Sequence, residues 1–160
     1  MSGAALTDIS FYHLRTMALE RALPKILERA LADGHRIVVM AGSSERVDHL
    51  DGLLWTYNEP SFLPHGSARD GNADRQPIWL TVDDENPNRA SMLVLVDSAR
   101  SAHLGSFARC CDIFDGNDEA AVAAARQRWK EAKAAGHQLT YWEQTDGRWE
   151  KRGGTGAEAR

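Results

Sequence analysis

The sequence predicts a three-layer α/β/α fold with a mainly parallel central sheet, Rossmann-like but without a phosphate-binding loop. Strand-like and helix-like segments alternate along the chain, the order that builds a sheet covered by helices. The strand candidates read as unbroken apolar runs, RIVVMA at 36–41 and SMLVLVD at 91–97 among them, as strands buried on both faces do. Neither G-x-x-x-x-G-K-[ST] nor a G-x-G-x-x-G after the first strand is present. With 160 residues, 42% of them apolar and 26% charged, the chain suits one domain of ordinary size. That domain is expected over 1–151, and RGGTGAEAR at 152–160, which has no apolar anchor, is expected to be a loose tail.

The elements follow in order. ISFYHL at 9–14 reads as the first strand. A helix is expected over 16–33, because Leu19, Leu23, Ile26, Leu27, Ala30 and Leu31 recur at i, i+3, i+4 spacing and Gly34 suits its stop. Pro24 lies inside it and predicts a kink, since proline removes a backbone donor and crowds the preceding turn. Residues 36–41 give the second strand, and Ser43 or Ser44 can cap a helix running to 57. The stretch 58–76 is polar and rich in proline and glycine, so a long loop is expected, with Phe62 and Leu63 as apolar residues in its middle. Residues 77–82, 91–97 and 110–115 supply further strands, with a short helical stretch at 101–108. A strand over 138–144 closes the series. Gly-His follows both outer helices, at Gly34 and Gly136, and predicts one helix-stop solution used twice.

Several function classes find no support. The net charge of −4 argues against wrapping nucleic acid, which depends on concentrated positive charge. No apolar run approaches a membrane span and the N-terminus lacks a signal pattern, so a cytoplasmic protein without membrane contact is expected. The adjacent Cys110 and Cys111 fit neither a disulfide framework nor C-x-x-C spacing and are expected to be reduced thiols on opposite strand faces. The six histidines are scattered without metal-ligand spacing, so neither a metal nor a cofactor is expected. No G-x-S-x-G elbow is present. Asp97, ending LVLVD, resembles the magnesium-holding carboxylate of many NTPases, which leaves a small nucleotide-binding hydrolase as the alternative function.

The most informative segment is DGNDEAAVAAARQRWKEAKAAGHQLTYW at 115–142. It reads as a helix capped by Asn117, with Asp118 and Glu119 at the positive end of its dipole and Gly136 at its stop. At 100° per residue, Ala121, Ala124, Ala125, Ala132 and Ala135 share one side, small enough to lie close on a sheet. Val122, Arg126, Trp129, Lys130 and Lys133 fall on another side. Cations beside a half-exposed indole complement a partner both acidic and apolar. The same stripe also fits a solvated face with Trp129 as a core residue at its edge.

The chain resembles the chi subunit of bacterial DNA polymerase III. The resemblance runs in order from about residue 9 to 151 through FYHL, DGHRIVVMA, LLWTYNEPSFLPHG, LVLVD, FDGNDEAAVAAARQRWK and AAGHQLTYW. Its most specific pieces are W-x-x-x-x-x-x-F-x-P-H, at Trp55, Phe62, Pro64 and His65, and R-x-x-aromatic-K, at Arg126, Trp129 and Lys130. The resemblance implies a non-catalytic replisome adaptor that binds the acidic C-terminal tail of single-stranded DNA-binding protein, links it to the clamp loader and associates with single-stranded DNA indirectly. It assigns Arg126 to a tail carboxylate, Lys130 to added charge and Trp129 to the apolar pocket, with Val122 and Lys133 alongside. Family members carry another cation where this chain has Val122. Trp55, Phe62, Pro64 and His65 correspond to the surface that holds the psi subunit, a helicase or another replication or repair partner; Trp55 as a core residue and Phe62 as a loop plug is the competing reading. Trp142 and Trp149 carry no assigned role beyond edge-strand packing.

Overall fold

The computed structural model describes residues 6–56, 63–145 and 148–154. Its elements are β1 (Asp8–Leu14), α1 (Leu19–Ala32), β2 (Ile37–Met40), α2 (Ser44–Thr56), β3 (His65–Ser67), β4 (Ile78–Thr81), β5 (Met92–Leu95), β6 (Arg109–Asp115), α3 (Glu119–Ala134), β7 (Gln138–Thr145) and β8 (Arg148–Gly154). The strands form one sheet in the order β3-β4-β2-β5-β6-β1-β7-β8. All neighbours pair in parallel except β7 and β8, which are antiparallel. The predicted three-layer α/β/α architecture is therefore present: α1 and α2 cover one face and α3 the other.

Strand alternation divides the core into two apolar layers. Val39, Val94, Cys111 and Ile113 join Leu23, Leu27, Leu50 and Leu54 of α1 and α2. Val38, Leu93, Cys110 and Phe114 join Ala125 and Ala132 of α3. The two cysteines are free, buried and on opposite faces, as their adjacency in a strand requires. Burial pushes the Cys111 thiol up to about 12, which keeps it protonated and unreactive. Gly34 and Gly136 both stop their helices at φ +90°. His35 and His137 donate their backbone amides to Ala30 and Ala132, so the Gly-His echo is one C-terminal cap made twice.

Four expectations are corrected. Residues 16–18 stay outside α1, because the side-chain oxygen of Gln144, 2% exposed, accepts from the amides of Arg15 and Met17 and holds the chain in a bend. From Leu19 the helix then runs through a buried Pro24. The long loop contains β3, which adds a parallel edge beside β4. Three residues, HGS, are too short for a period-2 signal to show. Asp118, rather than Asn117, caps α3 and accepts from the amides of Ala120 and Ala121, while Asn117 donates its side-chain amide to the Arg15 carbonyl. Finally, Arg152, Gly153 and Gly154, expected in a loose tail, belong to β8, where the two glycines pair with β7 and Arg152 lies at a register shift. Residues 155–160 of that expected tail lie outside the described residues.

Candidate functional site

The rotation of α3 about its axis decides which of its side chains face outward. Ala125 and Ala132 lie against the sheet with Arg128 between them, all three buried. The Arg128 guanidinium grips Asp112 of β6 in a two-pronged ion pair at 2.6 and 3.0 Å, with the two side chains 7% and 3% exposed. That pair fixes the helix in register with β6. It leaves Val122, Arg126, Trp129 and Lys130 over the part of the sheet where β1 and β7 adjoin.

There, Phe11 and Tyr141 are register partners on neighbouring strands. The Trp129 ring stands edge-on to both, at 5.2 Å from Phe11 and 5.9 Å from Tyr141. Phe114 approaches Tyr141 at 6.2 Å. The rings enclose a pocket of about 260 Å³, walled also by Val122 and Ala125, with Arg126 and Lys130 at its rim. Trp129 is half-buried, while Arg126 and Lys130 are exposed. Among the described residues neither cation belongs to an ion pair, so both charges are available to a ligand. Lys133 is exposed and does not line the pocket. An apolar hollow with two cations on its rim suits a ligand that joins an apolar group to a negative charge.

Tyr141 has support from behind. Its hydroxyl is hydrogen-bonded to Nδ1 of His13, whose ring lies against both Phe114 and Tyr141. Burial lowers the His13 pKa from the usual histidine value, with Arg15 and Arg126 acting in the same direction and Glu143 and Asp115 against it. Gly116 is required beside this ring, since a Cβ there would fall 2.0 Å from it. Phe11, Phe114 and Tyr141 are the pocket residues that sequence spacing alone did not single out, and His13 behind them was not singled out either. They come from three strands and meet only through sheet register.

The second set of residues is dispersed. Trp55 is 55% exposed on α2, so it is not a core residue. His65 is buried beneath it with the rings 5.0 Å apart; its Nδ1 bonds the Leu63 carbonyl at 2.6 Å and its Nε2 lies 3.2 Å from Asp51. Pro64 is exposed, and Phe62 lies outside the described residues. His65 thus supports the Trp55 surface from below.

Asp97 sits at the carboxyl end of β5, in a crevice of about 560 Å³ formed with the ends of β1 and β6. Open parallel sheets commonly bind ligands at such a place. Here, however, the carboxylate is engaged by the Arg46 guanidinium at 3.1 Å and accepts from the Gly42 amide at 3.2 Å. Among the described residues no group of three or more His, Cys, Asp or Glu could hold a metal ion, and no helix is long and apolar enough to cross a membrane.

These features define a class: a Rossmann-like α/β protein whose crevice at the carboxyl ends of the strands has its Asp97 carboxylate held by Arg46, and whose aromatic pocket, rimmed by cations, lies on an outer helix. Residues 6–140 match the family described as DNA polymerase III chi subunit, HolC, and the chain belongs to that family. It is 31% identical over 91 residues to the probable DNA polymerase III subunit chi of Rickettsia prowazekii (strain Madrid E), a match spanning 57% of this chain and 55% of that protein. It is 23% identical over 123 residues to DNA polymerase III subunit chi of Escherichia coli (strain K12), spanning 76% of this chain and 83% of that one.

Proposed function

We propose that the α3 pocket receives the acidic C-terminal tail of single-stranded DNA-binding protein, and that this replication protein is a non-catalytic cytoplasmic adaptor linking that tail to the clamp loader. The observation that carries the reading is the junction of an aromatic hollow with Arg126 and Lys130, whose charges have no ion-pair partner among the described residues. An acidic chain end needs both halves. Its apolar terminal side chain enters between Trp129, Phe114 and Tyr141, and its carboxylates meet the guanidinium and ammonium groups at the rim. Val122 lines the hollow but adds no charge, so the electrostatic part of the affinity is smaller than for a rim with a third cation.

Trp55 and the exposed Pro64 form the second docking surface, for the psi subunit, a helicase or another replication or repair partner, to which the family resemblance also assigns Phe62. An exposed indole above a buried, hydrogen-bonded histidine is the kind of rigid aromatic anchor on which interface affinity concentrates.

Calorimetric titration with a synthetic tail peptide tests the α3 assignment. Arg126→Ala is expected to weaken binding by about 2 kcal/mol, the scale for losing a charge-assisted contact. Added salt should weaken the complex without abolishing it, because the apolar end group is insensitive to screening. Unchanged affinity in the variant removes the site. In a pull-down of single-stranded DNA-binding protein, truncation of its last residues should abolish capture.

A further inference from the structure

On the sheet face opposite α3 the aromatic residues of the edge strands come together. Trp142 is in register with Tyr12 on one side and Lys151 on the other, and Trp149 lies opposite Gln144, so these side chains project from the same face. Tyr12 and Trp142 are nearly parallel, 13° apart with centroids at 6.4 Å, and Trp149 stands edge-on to Tyr12 at 5.0 Å. All three rings are only partly buried.

Between these rings and the flank of α1 runs a groove of about 510 Å³. Its α1 wall carries Lys25 and Arg29, exposed and four residues apart, which places them one above the other. Arg109 of β6 also lines it, and the Nε of Arg109 has no hydrogen-bond partner among the described residues. Asp33 is the one carboxylate in the described lining and forms an exposed pair with Arg29 at 3.7 Å, which leaves the lining with a net positive charge. The groove is thus cationic on a chain whose net charge is −4.

We propose that this groove binds single-stranded DNA, with bases stacked against Trp142, Trp149 and Tyr12 and the phosphates following Lys25, Arg29 and Arg109. Partly exposed aromatic rings beside a line of cations are the arrangement that single strands use, because every base offers a π-face and every linkage a negative charge. A duplex hides those faces. The groove is a different surface from the α3 pocket and rests on its own geometry. Three cations give modest affinity, which suffices when another contact holds the chain near the strand and raises the local concentration.

The test is fluorescence anisotropy of a labelled oligothymidylate titrated with the full chain at low salt, with tryptophan emission followed in parallel. Binding should quench tryptophan emission and fall steeply with salt. Lys25→Glu with Arg29→Glu, both on exposed side chains, should weaken binding by about tenfold or more while leaving tail-peptide affinity unchanged, the loss of the exposed Arg29–Asp33 pair lowering the thermal midpoint only slightly. Arg126→Glu should abolish tail binding and leave oligothymidylate binding intact. Absence of binding at low salt, equal affinity for a hairpin duplex, or wild-type affinity in the double variant would each overturn the proposal. So would loss of oligothymidylate binding in Arg126→Glu, which would assign the strand to α3. Failure of tail binding alone overturns only the α3 reading.

Discussion

Arg128 shows how one side chain sets the orientation of a functional helix. It lies between two alanines on the buried side of α3, where a guanidinium is tolerated only because Asp112 satisfies it from β6. Arg128→Ala leaves that carboxylate buried and unpaired, and is expected to cost about 3–5 kcal/mol in urea denaturation. Replacing both partners, Arg128→Met with Asp112→Leu, should restore most of the loss, since an apolar pair of similar volume needs no solvation. The pair was legible in part: Asp112, flanked on both sides by apolar residues in CCDIF, requires a cation somewhere, although the sequence does not say which of the neighbouring cations turns inward. His13 adds a dependence on pH. Its pKa is lowered in the folded chain from the usual 6.5, chiefly by burial, so below that value the unfolded chain takes up the proton more readily. Stability should therefore fall on acidification from 6.5 towards the folded pKa. Thermal midpoints measured across that range should decline less for His13→Gln than for the wild type; equal slopes would refute the assignment.

At the scale of elements, α3 was readable almost throughout, because its alanine side, its stripe of cations and its glycine stop are all local signals. Its first turn was not. DGND offers three side chains able to cap, and the choice depends on how β6 ends: the Asp115 carboxylate accepts from the amide of Asn117, turning the chain so that Asp118 reaches the free amides. Asp118→Ala should accordingly cost about 1 kcal/mol, whereas Asn117→Ala, which keeps that cap, should cost less in the same thermal melts. β3 was illegible for a different reason, and β8 was read only as edge-strand packing at Trp149, without its bounds. Both are edge strands specified by pairing with β4 and β7 rather than by their own composition, so HGS and RWEKRGG carry little pattern of their own. The pocket shared this limit. Arg126, Trp129 and Lys130 could be read from helical spacing, but Phe11, Phe114 and Tyr141 become neighbours only through the registers of β1 with β6 and β7.

For the molecule as a whole, the sheet separates the two proposed protein-binding surfaces. The α3 pocket opens on one face, and Trp55 projects from α2 on the other, with two apolar layers and the parallel strands between them. A close-packed core of this type transmits little when one exposed side chain is removed, and substitutions far apart without shared partners act additively. An adaptor of the proposed kind would benefit from that insulation, because holding one partner need not depend on releasing the other. Trp55→Ala is therefore expected to leave the affinity for a tail peptide unchanged within calorimetric error while removing the second partner from a co-purified complex. Arg126→Ala should do the reverse, and the double variant should show the two losses summed. A Trp55→Ala variant that weakened tail binding as severely as Arg126→Ala does would mean that the two faces are coupled through the sheet, and the picture of a rigid bridge with independent ends would have to give way to one of linked occupancy.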